Sequence, residues 1–583
     1  MSKYFLQTTP LRFFSEHDIP NKKILFLGAW CVNRLTKIDS EVLDYHWDDR
    51  VKLYDDYNSI QIIYEKYLCM VTDWLNEVHH EKKSVEYWRV IIGPWLLGFI
   101  SIIFDRFSNL EKASREYDIE STYVPKYLIS DWVPLDYVDF NSLYTSDKWN
   151  TYIYSELIKF MGNIPVIEAN NEIRQNVKYQ RKKAPWKKRY VKYLLSTITK
   201  LTPSRFSKIV FVESGLPPMK LASLLIKLKQ FPISNYERDV PPVFDVDNTI
   251  RNKSISNNNE SELDNILNAM IPKNIPITYL EGYKSLVKSS RRKYKDKVKM
   301  IFTSNAYFSN EYFKAWAAWQ KDRGVKLLVS VHGGHHGNAL FNAPGKLTED
   351  IADKFYGWGW SSATLPSYKL SELKKLDITN TDSRKILFIP YTLSKYSNYI
   401  DSSPISSSFN GCIEMHKKLI DRIIGKGQIE NLVIRTKDSD FGWDLKEVYR
   451  KIGVKNFVDP SVESIVDSIS KSRLTIVTYD STVILEALTL NVPTLLFYRK
   501  EYWEMNDIAK PLIDELVKCK VIHYHENSLS EHIQDVFLNI SEWWNSQSVQ
   551  LAVTNFLDVF GRSSITWKND WANEFRSEQS LLR

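Results

Sequence analysis

The stretch Ser330–Gly337 has residue types and spacing that suit a catalytic cleft. It reads SVHGGHHG, so three glycines and three histidines fall within six residues, directly after the apolar run Val325–Val331. Such a run predicts a buried strand, and open α/β sheets bind ligands at the carboxyl ends of their strands. Glycine lets the backbone approach a ligand closely, and an imidazole with an ordinary pKa of about 6.5 can accept a proton near neutral pH. We therefore predict that His332 lies at a catalytic cleft; the alternative is a tight glycine turn whose histidines are structural.

A second block, Thr478–Glu486, reads TYDSTVILE and joins a predicted strand to an apolar helix. Asp480, Ser481 and Thr482 stand at the junction, where free N–H groups and the positive end of the helix dipole can bind a phosphate. The alternative is a helix cap without a ligand, because Ser and Thr are common N-caps. Glu486 could bond a ribose or simply favour the start of the helix.

Two cations follow another predicted strand of the same half. Arg435 and Lys437 lie at the end of Leu432–Lys437, and an arginine there can bind phosphate oxygens in a bidentate manner. The alternative is exposed charge at the end of a strand. No HExxH, Walker A, GxSxG or EF-hand pattern occurs in a suitable context, nor an Asp-rich run that would hold a divalent metal. Metal-independent chemistry is the simpler expectation.

The elements that must position these residues are strands alternating with helices, which predicts parallel sheets. The strands expected are Lys22–Trp30, Lys208–Glu213, Val298–Ser304, Val325–Val331, Phe355–Trp360, Lys385–Tyr391, Leu432–Lys437, Leu474–Thr478 and Thr494–Tyr498. The polar stretch 361–384 is the predicted hinge, with an N-terminal domain over 1–360 and a C-terminal Rossmann-like domain over 385–560. No GxGxxG follows the first strand of the second half, which counts against a dinucleotide dehydrogenase.

Charge and composition limit the partners. The 583 residues carry a net charge of +8, which fits anionic ligands or a membrane surface. Lys178–Lys192 holds eight Lys and Arg interleaved with aromatic residues, so it is predicted to contact an anionic membrane or an acidic acceptor; the alternative is a solvated helix face. A nucleic-acid role is not expected, because no recognition motif accompanies these cations.

Cysteines and apolar segments suggest the compartment. The four cysteines form no CxxC, which disfavours a zinc site or a disulfide framework and suits a reducing cytoplasm. The N-terminus shows no signal-peptide core. Val90–Phe104 is apolar, but it falls short of the ~20 residues that cross a bilayer and contains Gly93-Pro94. We predict a buried core helix, with Pro94 in its first turn.

Several blocks together resemble a known family. They are Tyr87-Trp88-Arg89 to Gly93-Pro94-Trp95, the HGG loop with Gly337, Phe355–Trp360 (FYGWGW), and Asp480-Ser481-Thr482 with Glu486-Ala487 and Pro493-Thr494. From about Lys22 to Trp571 the chain resembles transferases from bacterial O-antigen and surface-polysaccharide clusters. Its second half is similar to GT-B enzymes that include capsule Kdo transferases, sialyl- and polysialyltransferases and CDP-glycerol glycerophosphotransferases.

The resemblance implies an α/β GT-B fold, in which two Rossmann-like domains face a central cleft. The first half would bind a bacterial glycan acceptor and the second a nucleotide sugar, and a final helix in 561–583 would cross back to the first half. His332 would be the general base or would orient the acceptor, with the loop residues Gly333, Gly334, His335 and Gly337 beside it. The donor phosphate would be held by Arg435, Lys437, Asp480, Ser481 and Thr482, and the ribose by Glu486.

Several of these relatives use cytidine nucleotides, which implies a CMP-linked nonulosonic acid or Kdo-like donor and no further cofactor. Relatives commonly carry a His-Pro in the donor domain, where this chain has Arg435-Thr436-Lys437. The expected site of action is the cytoplasm, at the inner face of the membrane. The alternatives are a glycerophosphotransferase-like polymer synthase and a non-catalytic glycan-binding assembly protein.

Overall fold

Three parallel β-sheets form the framework of the structure, a computed structural model. It describes residues 3–11, 23–32, 40–174, 208–231, 241–256, 261–376, 378, 384–425, 431–437, 439 and 441–581. The strands are β1 (Tyr4–Gln7), β2 (Lys23–Phe26), β3 (Ser40–Val42), β4 (Ile119–Lys126), β5 (Val166–Glu172), β6 (Ile209–Phe211), β7 (Met300–Thr303), β8 (Lys326–Ser330), β9 (Lys354–Tyr356), β10 (Ile386–Ile389), β11 (Leu432–Ile434), β12 (Asn456–Phe457), β13 (Leu474–Val477), β14 (Thr494–Phe497) and β15 (Ile522–His523). The central strands are wholly apolar or nearly so, because helices cover both faces of such sheets.

The order of the strands locates the natural ligand crevice. The sheets run β3-β2-β1-β4-β5, β6-β7-β8-β9 and β12-β11-β10-β13-β14-β15, and the strand pairs are parallel. In the third sheet the order reverses between β10 and β13, and ligands of open α/β sheets bind outside the carboxyl ends at such a reversal. The predicted α/β class with parallel sheets is confirmed.

The part before residue 361 contains two sheets, where the sequence predicts one Rossmann-like unit. The predicted strand Lys22–Trp30 gives β2 of the first sheet, and the other four predicted strands of this part give the second sheet. The first sheet escapes prediction because β3, β4 and β5 do not form continuous apolar runs and the apolar β1 has only four residues. For example, β3 reads SEV and β5 reads VIEANNE, and six of the seven residues of β5 are exposed.

Helices pack around the first two sheets. They are α1 (Arg50–His79), α2 (Val85–Glu116), α3 (Ile129–Trp132), α4 (Tyr137–Leu143), α5 (Asp147–Met161), α6 (Pro218–Lys227), α7 (Asn248–Arg251), α8 (Glu262–Asn274), α9 (Tyr283–Lys293), α10 (Ala306–Ser309), α11 (Glu311–Lys321) and α12 (Ala343–Ile351). The basic stretch Lys178–Lys192 lies outside the described residues.

The remaining helices belong to the third sheet and its connections. They are α13 (Tyr368–Leu373), α14 (Ser408–Gly425), α15 (Leu445–Lys451), α16 (Ile465–Ser470), α17 (Thr482–Thr489), α18 (Ala509–Lys518), α19 (Glu526–Val536), α20 (Ile540–Trp544), α21 (Gln547–Phe560) and α22 (Trp567–Ser580). Helices α19 and α20 are separated by a short break after Val536. The carbonyl groups of Phe537 and Leu538 at the break accept hydrogen bonds from Arg473, at 2.8 and 2.7 Å.

Helix α2 is the buried core helix predicted at Val90–Phe104, but it is longer than expected. It begins after Ser84, whose side chain caps it by accepting from the Tyr87 N–H, so Pro94 lies inside the helix and not in its first turn. Among the described helices, α2 is the one long and apolar enough to cross a membrane, and 94% of its most apolar window is buried inside the protein.

The last helix, α22, packs against the second sheet. The ring of Phe575 is fully buried and lies 5.3 Å from the ring of Phe211 and 5.2 Å from that of Phe302, measured between centroids. Lys354 of β9 forms ion pairs with Glu574 and Glu578, each at 2.7 Å. The chain therefore returns to its first half after completing the third sheet.

Candidate functional site

The carboxyl ends of β8 and β13 face each other across a cleft of about 330 Å³. The loop after β8 and the block before α17, which the sequence singles out separately, both line this cleft. Its wall is made of Tyr307, Phe308, Val331, His332, Gly333, Gly334, His335, His336, Asn342, Pro344, Gly345, Thr348, Asp401, Asp480, Ser481 and Thr482. The second and third sheets thus contribute to one site, although about 140 residues separate the two blocks in the sequence.

Gly334 brings the loop after β8 directly onto the start of α17. Its N–H donates to the hydroxyl oxygen of Thr482 at 3.0 Å. A Cβ at Gly334 would lie 3.0 Å from backbone atoms of Ser481 and Thr482 and 2.9 Å from Leu485, closer than side chains pack. The neighbouring Gly333 is less restricted, since a Cβ there would meet only the Thr482 hydroxyl, at 3.9 Å.

His335 forms the second link between the two halves. Its Nδ1 lies 2.8 Å from Oδ2 of Asp480, and its Nε2 is buried without a hydrogen-bond partner among the described residues. Burial alone would lower the pKa of His335. The hydrogen bond and charge of Asp480, with the charges of Asp401 and Glu504, outweigh that effect and raise its pKa above the ordinary value. The protonated imidazolium is therefore favoured here.

His332 has the opposite electrostatic environment. Its side chain is exposed to the cleft, with the ring of Phe308 at 6.1 Å. Desolvation by the cleft walls and the nearby His336 lower its pKa, while the Ser304 backbone carbonyl raises it to a smaller degree. His332 is therefore neutral and able to accept a proton at pH 7, whereas His335, three residues later, favours the charged form.

The end of the HGG loop is structural. Nε2 of His336 lies 2.9 Å from Glu349, and its ring packs on Phe355 and Trp360. Gly337, predicted as a loop residue of the site, does not line the cleft. It lies so close to Trp360 that a Cβ would be 2.3 Å from the indole, which explains why glycine is needed there.

Ser481 and Thr482 border the cleft with their hydroxyl groups already engaged. The hydroxyl oxygen of Ser481 accepts the Val483 N–H at 3.2 Å and caps α17. That of Thr482 accepts the Gly334 N–H. Ser481 therefore caps α17, as the alternative predicts, and both Ser481 and Thr482 also line the cleft.

Two residues that the sequence predicts to bind the sugar donor, Arg435 and Glu486, lie outside the cleft. Arg435 is buried, and its guanidinium donates to the Ser468 hydroxyl at 2.9 Å. Glu486 is also buried and forms an ion pair with Lys369 of α13. Neither side chain lines the cleft, because each is drawn to a partner on a neighbouring helix.

Lys437, by contrast, stays available at the carboxyl end of β11. Its side chain is exposed, and its Nζ lies 5.6 Å from the centroid of the Tyr479 ring. Desolvation lowers its pKa. It has no hydrogen bond or ion pair with any other described residue, and it lies at the end of the strand next to β10, outside the lining of the cleft.

The loop after β10 contains polar groups that the sequence patterns did not indicate. The hydroxyl oxygens of Thr392 and Ser394 are buried and have no hydrogen-bond partner within the described part of the chain. A buried polar group without a partner is costly and is usually explained by a role. Ligands of open α/β sheets bind where the strand order reverses, beside the first strand of a Rossmann-like half. Because Lys385–Tyr391 is that first strand, the sequence could have indicated this loop.

The continuation of this loop, residues 391–407, forms an arm that reaches into the first half. The hydroxyl of Tyr399 donates to the Pro94 carbonyl of α2 at 2.7 Å, and that of Tyr396 donates to Asp147 of α5 at 2.8 Å. The buried guanidinium of Arg106 donates to the Ser397 carbonyl at 2.7 Å. The arm connects the start of the third sheet to the helices around the first.

Among the described residues, no group of three or more His, Cys, Asp or Glu could hold a metal ion. Metal independence stays a prediction.

Comparison with known proteins identifies the family. The model of the LIC12162 family transferases matches residues 4–575. The chain belongs to this family of transferases. The prediction of an enzyme of the transferase class is thereby confirmed. No curated protein sequence matches the chain at a significant level.

Solved structures resemble the chain only distantly. The MnaA–UDP co-structure from S. aureus is 11% identical with a TM-score of 0.37, over 64% of this chain and 96% of that chain. MurG from Acinetobacter baumannii is 12% identical with a TM-score of 0.29, over 51% and 78%. A trehalose-6-phosphate structure from E. coli, bound with UDP-2-fluoro glucose, is 12% identical with a TM-score of 0.31, over 52% and 78%. TM-scores of this size carry no argument about the fold or the site.

The close approach at Gly334 can be tested by adding one methyl group. We expect Gly334→Ala to lower the free energy of unfolding by about 1–3 kcal/mol, because the added Cβ overpacks the start of α17. Gly333→Ala is the matched control and should be neutral or slightly stabilising. Denaturant unfolding followed by tryptophan fluorescence measures both. Equal effects of the two substitutions would contradict the described contact.

The His335–Asp480 pair predicts a pH dependence of stability. The folded-state pKa of His335 is raised, so its stabilisation is fully present below the unfolded value of about 6.5 and is lost as pH rises through the folded value. We expect Asp480→Asn to reduce the melting temperature most near pH 6 and least near pH 9. A difference between wild type and variant that grows toward alkaline pH would show that the sign is wrong.

Proposed function

We propose that this transferase is a glycosyltransferase that moves a sugar from a nucleotide-activated donor to a hydroxyl group of a glycan acceptor. One observation carries the proposal. The HGG loop of the second sheet and the Asp480-Ser481-Thr482 block of the third sheet line a single cleft at the carboxyl ends of parallel strands. That arrangement supports an acceptor bound on one side and a donor on the other, as GT-B chemistry requires.

His332 is the proposed general base. Its lowered pKa keeps the imidazole neutral, and its side chain is open to the cleft. The acceptor hydroxyl gives its proton to His332 as its oxygen forms a bond to the anomeric carbon. The bond from that carbon to the donor phosphate breaks, and the phosphate oxygen takes the electron pair. A positioned base of this kind contributes roughly 10²- to 10⁴-fold to the rate.

The donor is proposed to lie at the strand reversal between β10 and β13. Ser481 and Thr482 border the leaving phosphate at the start of α17, where the helix dipole favours negative charge. His335, held by Asp480 with a raised pKa that favours its protonated form, lies on the same side. Lys437, exposed at the carboxyl end of β11, offers a further contact for the nucleotide.

The identity of the substrates rests on the resemblance of the sequence. A CMP-linked nonulosonic acid or Kdo-like donor is proposed, with a bacterial surface glycan such as O-antigen or capsule as the acceptor. Action in the cytoplasm, with the segment Lys178–Lys192 touching the anionic inner face of the membrane, belongs to the same proposal. Arg435 and Glu486 are left out of the donor site because both are engaged elsewhere.

A thermal-shift screen against CMP, CDP, UMP, UDP, GDP and dTDP tests the donor site. A nucleotide at 100 times its dissociation constant adds about 2.7 kcal/mol of stability, so we expect CMP to raise the melting temperature. Ser481→Gly should abolish this shift, because glycine keeps most of the cap but lacks the hydroxyl. Ser464→Gly, which alters the cap of α16 outside the cleft, should leave the shift unchanged. Stabilisation by a diphosphate would change the donor class, and no binding at all would contradict the donor site.

His332→Gln tests the base. We expect kcat for transfer from the nucleotide sugar selected by the screen to fall by about 10²-fold or more, with nucleotide affinity within about twofold of wild type. His525→Gln is the matched control, because His525 is exposed and outside the cleft. Unchanged turnover in His332→Gln would eliminate His332 as the base without touching the donor assignment.

A further inference from the structure

Helix α6 has one buried face and one face that no described residue covers. Leu221, Leu224 and Leu225 pack toward the second sheet and are at most 9% exposed. On the other side Met219 is 85% exposed and Ile226 is 63% exposed. Positions seven apart lie on the same face of a helix, so these two large apolar side chains form one stripe.

The end of α13 adds another exposed apolar side chain close to α6. Lys220 forms an ion pair with Glu372 at 2.6 Å, which places the last turn of α13 beside the first turn of α6. Leu376, which follows that turn, is 52% exposed. Contiguous exposed apolar surface with a polar rim marks an interaction site, whereas scattered single residues do not.

The rim of this surface is cationic. Lys227 and Lys229 at the end of α6, and Lys374 and Lys375 after α13, are exposed. From α22, Lys568 donates to the Ser223 hydroxyl at 2.8 Å and Arg576 donates to the Lys227 carbonyl at 2.5 Å, so both lie against α6.

The nearby carboxylates do not cancel this charge. Glu372 is bound by Lys220 and Lys375, and these hydrogen bonds outweigh its burial and lower its pKa to about 2. Glu574 and Glu578 of α22 point to β9, where both pair with Lys354. The surface of α6 therefore combines apolar side chains with an excess of positive charge.

We propose that this surface, formed by α6 with the ends of α13 and α22, docks on an anionic lipid bilayer. Cations near such a bilayer are attracted to its negative head groups, while apolar side chains of an amphipathic helix enter the boundary between head groups and acyl chains. Met219 and Ile226 supply the apolar contact, and Lys227, Lys229 and Arg576 supply the charge. The proposal does not depend on the proposed activity.

The sequence before β6 adds charge of the same sign. Lys178–Lys192 carries eight Lys and Arg and precedes β6, whose carboxyl end leads into α6. The exposed apolar residues of α6 are what distinguish a bilayer from a soluble polyanion. An acidic macromolecule would be held by the cations and would gain nothing from Met219 or Ile226.

Vesicle flotation of the full-length protein tests the surface. We expect the protein to float with phosphatidylcholine vesicles that contain phosphatidylglycerol, less so at high salt, and not with phosphatidylcholine alone. The double variant Met219→Glu with Ile226→Glu should weaken binding by about tenfold or more, because two charges replace the inserted side chains. Val462→Glu, at a position 83% exposed in the third-sheet half, is the matched control and should float like the wild type.

Three results would overturn the proposal: no flotation of the wild type, equal flotation with neutral vesicles, or flotation of the double variant at the wild-type level. The last result would show that Met219 and Ile226 do not enter the bilayer and that cations alone account for the binding. An unchanged melting temperature and unchanged nucleotide binding in the double variant would show that folding and the cleft are intact. Failure of the docking surface and failure of the proposed activity are therefore separable.

Discussion

The contact between the HGG loop and the start of α17 is the constraint on which the site depends. It consists of one backbone hydrogen bond from Gly334 to Thr482, one side-chain pair between His335 and Asp480, and van der Waals contact permitted by the missing Cβ. Because the loop is fixed to the third sheet at Gly334, His332 two residues earlier is held in the cleft. The position of His332, the proposed base, is thus set by the third-sheet half, which is also the half proposed to bind the donor.

The pKa values of His332 and His335, on the loop held by this contact, are shifted in opposite directions. His335 faces carboxylates and gains a raised pKa, while the pKa of His332 is lowered by desolvation and by the nearby His336. Pairs of titratable groups whose environments move their pKa values apart are typical of sites that need one charged and one neutral partner. Here the two histidines are only three residues apart, and the carboxylates around His335, Asp480 first among them, produce that difference.

The sequence predicts those parts of the structure that depend on local pattern. The ends of β8 and β13 are foreseen because an apolar run stops at Gly-rich or hydroxyl-rich residues. Pairings across long distances are not foreseen. The partner of Glu486 is Lys369, 117 residues away, and that of Arg435 is Ser468, 33 residues away. Strands such as β5 also escape, because an exposed edge strand need not be apolar.

The arm 391–407 makes the donor side inseparable from the rest of the chain. Thr392 and Ser394 begin the arm, and its later residues are bonded to α2 and α5, so their position is set by helices that belong to the first sheet. A fragment cut at residue 385 would retain the six strands of the third sheet but not the anchors that hold its first loop. The third-sheet half is therefore not a portable module, and recombination of such halves between family members would have to carry the matching faces of α2 and α5 with it.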